Sequence, residues 1–137
     1  MEQRKVYDLE ERLIEFMVRV MGVVESLPST RIGNHVAGQL VGSGTSPAAN
    51  YSEARAAESR KDFIHKMRIC LKELRETRVW LLGIQRKPLI EPPKKLDPLV
   101  AECNELIAIF VSSIATATRN RKPKDKPNSP DPNAPPA

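Results

Sequence analysis

The chain has little of what active sites and base-stacking surfaces are usually made from. Three Phe, two Tyr and one Trp make up only 4% of its 137 residues. Phe16, Phe63 and Phe110 also fall on apolar helical stripes, so few rings remain to stack on nucleobases. That argues against sequence-specific recognition of single strands. The two histidines, His35 and His65, lie in different helical patterns without clustered cysteines or carboxylates, so no metal site is signalled. The two cysteines, Cys70 and Cys103, sit inside apolar stripes, where the expected role is a small reduced core residue rather than a disulfide. Serines and threonines around Gly44 lack the lysine and glycine spacing of a P-loop. No carboxylate has a partner acid, base or nucleophile at a useful spacing, so no enzyme and no cofactor is expected.

Other absences bear on placement and fold. The start, MEQRKVYDLEERLIEF, is charged and lacks the apolar run of a secretory signal. No stretch reaches about 18 uncharged apolar residues, so the expectation is a cytoplasmic protein without a membrane span. No run alternates with period two over a useful length, which argues against strands.

What is present is helical periodicity. In the first pattern Leu9, Leu13, Phe16, Val20, Val23 and Leu27 recur at spacings of three and four, with Ile14, Met17, Met21 and Val24 beside them. Asp8 is the expected cap and Pro28 the exit. The second pattern, Arg31 to Ala57, carries Ile32, Val36, Leu40 and Val41, and Pro47 predicts a kink or break near Gly44 to Pro47. Ser43, Thr45, Ser46 and Asn50 are placed to satisfy the carbonyls that proline would free. The third pattern, Ser59 to Gln85, repeats Phe63, Met67, Cys70, Leu74, Thr77 and Leu81. Pro88, Pro92 and Pro93 interrupt the chain. Asp97-Pro98 then opens a fourth pattern with Leu99, Cys103, Leu106 and Phe110, flanked by Val100, Ile107, Val111 and Ile114.

Four broad apolar faces and short connections predict an all-α, antiparallel up-and-down four-helix bundle with a kinked second helix, over residues 1–118. From Arg119 the chain reads RNRKPKDKPNSPDPNAPPA, with six prolines and no large apolar residue. Such a segment cannot offset its ordering entropy by burial, so residues 119–137 are expected to be a disordered, basic, proline-rich tail.

Charge is unevenly spread. Residues 55–87 carry ten Lys and Arg against four acids, whereas residues 1–30 carry four against six, and the tail five against two. In the third pattern Lys61, His65, Arg68, Lys72 and Arg75 recur at four and three, opposite the apolar stripe, with Arg78 nearby. Such a row can track a phosphate backbone. It can equally be a solvated helix face, partly neutralised by the i,i+4 pairs Asp62–Lys66 and Lys72–Glu76.

The central segment is also informative as a pattern. Gln39-Leu40, Ser43, Ser46-Pro47-Ala48-Ala49-Asn50, Ser52-Glu53-Ala54, Asp62-Phe63-Ile64, Leu71-Lys72-Glu73 and Glu76-Thr77 together resemble one family, the four-helix-bundle 23S ribosomal RNA intervening-sequence proteins. The likeness extends more weakly over roughly residues 8–115 and departs after Leu40, where Val41-Gly42 stands in place of the arginines of many relatives. The resemblance implies a small cytosolic protein forming a ring-like homopentamer. It also implies kinship with accessory proteins of diversity-generating retroelements, which work with a reverse transcriptase and nucleic acid. Asn50 and Glu53 belong to the shared signature, and the role expected of them is structural: holding the broken helix or pairing with a cation.

Two functions follow as expectations. One is a non-enzymatic oligomeric accessory protein that binds RNA or DNA through Lys61, Arg68, Lys72, Arg75 and Arg78. The other is a scaffold for a protein partner such as a reverse transcriptase, with Val79, Trp80 and Ile84 as a second apolar face.

Overall fold

In a computed structural model, the backbone of residues 2–125 and the side chains of residues 9–120 are described. Four helices form: α1 (Glu2–Ser26), α2 (Arg31–Arg55), α3 (Arg60–Arg86) and α4 (Asp97–Asp125), the last preceded by a 3-10 turn at Pro93–Leu96. No strand occurs among the described residues.

Local chemistry sets most of the ends. Thr30, in extended conformation, accepts from the Gly33 amide and starts α2, and Ser59 does the same for α3 through the Asp62 amide. The turn before α2 is tight enough that Gly33 cannot be replaced: a Cβ there would collide with the Pro28 carbonyl oxygen. Two expected ends move. Asp8 does not cap α1, because the helix begins at Glu2 and nothing from there to Tyr7 interrupts it. At the other end α4 continues past the expected boundary at 118 to Asp125, with Pro123 inside its last turn. The remaining proline-rich stretch, residues 126–137, lies outside the described residues.

Pro47 does not break α2. Helical structure is continuous from Arg31 to Arg55 with the proline buried inside it. The nearby hydroxyls and amide do not serve the Ser43 carbonyl that the proline deprives of a donor. The Thr45 hydroxyl donates to the Val41 carbonyl (2.7 Å), and the Asn50 amide donates to the Ser46 carbonyl (3.1 Å) and hydroxyl (2.9 Å). Tertiary packing holds this helix: Pro47 lies against α3, where the Cys70 thiol donates to its carbonyl (3.5 Å).

The helices pack as a bundle. α2 lies against α1 and α3, α4 lies against α3 and more sparsely against α1, and α1 and α3 are not adjacent. The shared core holds Leu13, Phe16 and Val20 of α1, Leu40 of α2, Met67, Cys70, Leu74 and Leu81 of α3, and Leu99, Cys103, Leu106 and Phe110 of α4. Burying each of these large side chains stabilises the fold by roughly 1.5–3 kcal/mol. Close approach of α1 and α2 depends on Gly44, where an added Cβ would meet Val20 Cγ1 at 2.5 Å. Between α2 and α3 the buried Thr77 hydroxyl bonds the Ser43 hydroxyl (2.9 Å) and the Glu73 carbonyl (2.8 Å). Burial pushes both thiols up to about 12, and both cysteines are free, reduced core residues as expected.

Some apolar positions do not reach the core. Ile32 is 53% exposed and Val41 37%, because α2 turns them toward its flanks while Leu40 faces inward. Ile84, expected on a second outer face, is instead buried at 1%. The helical stretch Pro93–Asn120 is long and apolar enough to cross a membrane by length and composition, although it holds no run of about 18 uncharged apolar residues. Here its inner side packs against the core through Leu99, Cys103, Leu106 and Phe110.

Candidate nucleic-acid interface

The α3 ridge is built by helical periodicity alone. With Met67, Cys70, Leu74 and Leu81 committed to the core, Lys61, Arg68, Lys72 and Arg75 are rotated to the opposite side, and all four are exposed, as is His65. At about 1.5 Å rise per residue the row from Lys61 to Arg75 is about 21 Å long. None of these four cations has an ion-pair partner among the described residues.

The neutralising pairs expected along this helix do not form. Lys66 is turned toward α2, where its ammonium donates to Glu53 Oε1 at 2.7 Å, a hydrogen bond that raises its pKa. Glu76 accepts from the Trp80 indole (3.3 Å) instead of pairing with Lys72. The ridge therefore keeps its charge. Glu53 and Asn50 play structural roles, the first tying α2 to α3 and the second closing on Ser46 within α2.

Arg78 stands apart from the other four. It is half-buried on the flank toward α4, with its Nε donating to Asn104 Oδ1 at 2.7 Å. The structure thus groups Lys61, Arg68, Lys72 and Arg75 on one line and places Arg78 at the α3–α4 seam. Sequence spacing hinted at this, since Arg78 lies three residues beyond Arg75 and toward the side of Leu74 and Leu81.

Two features escaped the sequence reading. Arg12 forms a forked pair with Glu102 (2.8 and 3.0 Å) and reaches Glu105 (3.0 Å), joining α1 to α4, and these bonds raise its pKa. An open cleft of about 700 Å³ also lies between the α2–α3 turn and the C-terminal half of α4, bordered by Arg60, Phe63, Ser112, Ser113, Thr116 and Asn120. Its lining has Glu58 as its one carboxylate and contains no His or Cys, so it offers no acid–base or nucleophilic pair. Among the described residues no three His, Cys, Asp or Glu converge as metal ligands. Neither feature carries a periodic signal, because each joins residues distant in the chain.

These observations define a small all-α, four-helix protein with one cationic outer ridge. The model of the 23S rRNA-intervening sequence protein family matches residues 5–112, and the chain belongs to that family. It is also similar to a protein of unknown function from the S23 ribosomal protein family of Bacteroides thetaiotaomicron VPI-5482, whose crystal structure was determined at 1.70 Å. The two are 32% identical, the likeness covers 77% of this chain and 96% of the other, and the TM-score is 0.71. No curated protein matches the chain.

Proposed function

We propose that this chain is a non-enzymatic, cytoplasmic accessory protein that binds RNA or DNA by backbone electrostatics. One observation carries the reading: Lys61, Arg68, Lys72 and Arg75 form an exposed line of cations with no carboxylate partner among the described residues. Cations so placed displace counterions from a phosphate chain, and the shortage of exposed aromatics leaves little basis for reading bases. Arg78, engaged with Asn104, contributes at the edge of this surface. The bundle we infer is antiparallel and up-and-down, which the pairs Glu10–Arg55 and Val20–Gly44 support for α1 and α2, as do Lys66–Glu53 and Thr77–Ser43 for α2 and α3. Assembly as a cyclic homo-oligomer, five subunits by the family resemblance, multiplies the ridge and strengthens its field.

The test is binding of purified protein to mixed RNA and DNA across a salt series, with the mass determined in the same samples. Four phosphate contacts give a slope of log K against log salt of about −3 to −4. Replacing Lys61, Arg68, Lys72 and Arg75 by alanine abolishes most of that slope. Retention that persists unchanged after this replacement rejects the surface.

A second reading has its own observation. Val79, 61% exposed, lies at the end of the same ridge, with Trp80 partly buried beside it. An apolar spot bordered by cations suits a protein partner, and a reverse transcriptase is the partner that the resemblance suggests. Specific capture of one such protein, without affinity for nucleic acid at low salt, favours this scaffold reading.

A further inference from the structure

The line of cations on α3 does not stop at Arg75. Arg86 follows Arg68 by five full turns at about 3.6 residues per turn, so it returns to the same outer line of the helix. Between Arg75 and Arg86 that line carries only Val79, Leu82 and Gly83. At 1.5 Å rise per residue this uncharged interval is about 16 Å long. Val79 is 61% exposed in it, and at Gly83 an added Cβ would meet nothing within 4 Å, so the interval is smooth as well as uncharged.

Beyond the interval positive charge returns. Arg86 and Lys87 end α3, and Lys94 and Lys95 stand in the 3-10 turn that precedes α4. All four are exposed, with no ion-pair partner among the described residues. Against them stands Glu91, while Asp97 is taken by Gln85. The connection that carries these cations is firmly held. Ile90 and Leu96 are buried, and the Lys87 and Leu89 amides donate to the Gly83 and Ile84 carbonyls (3.0 and 2.9 Å). The Gln85 amide donates to the Pro93 carbonyl (3.1 Å) and to the Asp97 carboxylate (2.7 Å), which sets the 3-10 turn beside the last turn of α3. The backbone is thus ordered in advance, which lowers the entropy lost on binding.

We propose that the polyanion this chain takes is a double helix, of RNA or DNA, laid across α3. The ridge holds one phosphate row, the α3–α4 turn holds the other, and the interval from Val79 to Gly83 faces the groove between them. This rests on the nucleic-acid reading of the ridge and adds a second arm to it. The major groove of B-DNA is about 12 Å wide, and the minor groove of A-form RNA is wide and shallow. With the bulk of the phosphates on either rim, an uncharged gap of about 16 Å along the helix accommodates one such groove. A single strand on the same line would instead carry phosphates over the uncharged interval. No exposed ring stands there to stack its bases, since Trp80 is partly buried and bonded to Glu76.

The test titrates the full-length protein against labelled duplexes of about 20 base pairs, one of RNA and one of DNA, and against their separate strands, across a salt series. Eight phosphate contacts on a duplex give a slope of log K against log salt of about −7, whereas four ridge contacts on a single strand give about −3. At least one duplex should be bound about tenfold or more tightly than its strands at low salt. Combining Arg86→Ala, Lys87→Ala, Lys94→Ala and Lys95→Ala, with the fold checked by circular dichroism, should bring the duplex slope to about −4 and leave single-strand binding nearly unchanged. Arg19→Ala with Arg119→Ala, on α1 and α4, removes the same net charge as Arg86→Ala with Lys87→Ala, and only the latter pair should weaken duplex binding. A preference for either duplex that is lost in the four-alanine variant supports the proposal and tells RNA from DNA. Strands bound as tightly as duplexes, a duplex slope unchanged in the four-alanine variant, or equal losses from the two charge-matched pairs overturns the proposal while leaving the nucleic-acid function standing. No affinity for any of the four probes at low salt rejects both.

Discussion

Replacing Gly44 by alanine should destabilise this protein, whereas the same change two residues earlier, at Gly42, should stabilise it. Both glycines lie inside α2, where alanine is favoured over glycine by about 0.5–1 kcal/mol through helix propensity. At Gly42 nothing lies within 4 Å of the added Cβ, so that gain is realised. At Gly44 the new atom meets Val20 Cγ1 at 2.5 Å and both Val20 Cβ and Cγ2 at 3.1 Å. Val20 is fully buried and β-branched, so it has no free rotamer into which to retreat. Overpacking of this kind costs about 1–3 kcal/mol. The net for Gly44→Ala is a loss of about 1–2 kcal/mol, and the two variants should differ by about 2 kcal/mol. Urea unfolding followed by helical circular dichroism, at several protein concentrations to separate assembly from folding, reads this difference directly. Adding Val20→Ala should recover part of the Gly44→Ala loss through a favourable coupling, because the clash is removed. Equal stability of the Gly42 and Gly44 variants, or no coupling to Val20, refutes the reasoning.

Two further predictions concern the core. Thr77→Val removes the hydroxyl shared between Ser43 and the Glu73 carbonyl and leaves Ser43 with only a 3.5 Å contact to the Leu40 carbonyl. It should cost about 1–2 kcal/mol in urea unfolding, and Thr77→Val with Ser43→Ala should cost less than the sum of the single changes. Burial holds both thiols at about 12 against an ordinary value of 9.0, which favours the protonated form in the folded state. Below pH 9 they add no pH dependence, whereas between pH 9 and 12 the unfolded chain binds fewer protons and stability falls as pH rises. Each thiol contributes a slope of up to about 1.4 kcal/mol per pH unit there, and Cys70→Ala with Cys103→Ala should flatten the fall seen in urea titrations at stepped pH.

Particular elements show where the sequence was legible. The inward sets of α3 and α4 were readable because an amphipathic helix announces its buried face by period alone, and Met67, Cys70, Leu74, Leu81, Leu99, Cys103, Leu106 and Phe110 are all buried. The ridge of Lys61, Arg68, Lys72 and Arg75 was legible for the same reason, being the complement of that face. Pro47 misled, because its local cost suggested a break while its burial against α3 holds the helix continuous. The i,i+4 pairs misled in a similar way: Lys66 found a better-placed carboxylate on another helix, Glu53. Arg78 and Ile84 depended on how far α3 is turned toward α4, which one helix does not reveal.

The sequence by itself determined four helices, which side of each faces inward, the reduced state of both cysteines and the concentration of positive charge on the third helix. These follow from side-chain order along one chain, because periodicity and propensity are local. Only the tertiary structure decided which cations remain unpaired among the described residues, that Gly44 is required while Gly42 is not, and that Lys66 is taken by Glu53 of another helix. Those outcomes depend on distances between helices far apart in sequence, and no local pattern encodes such distances.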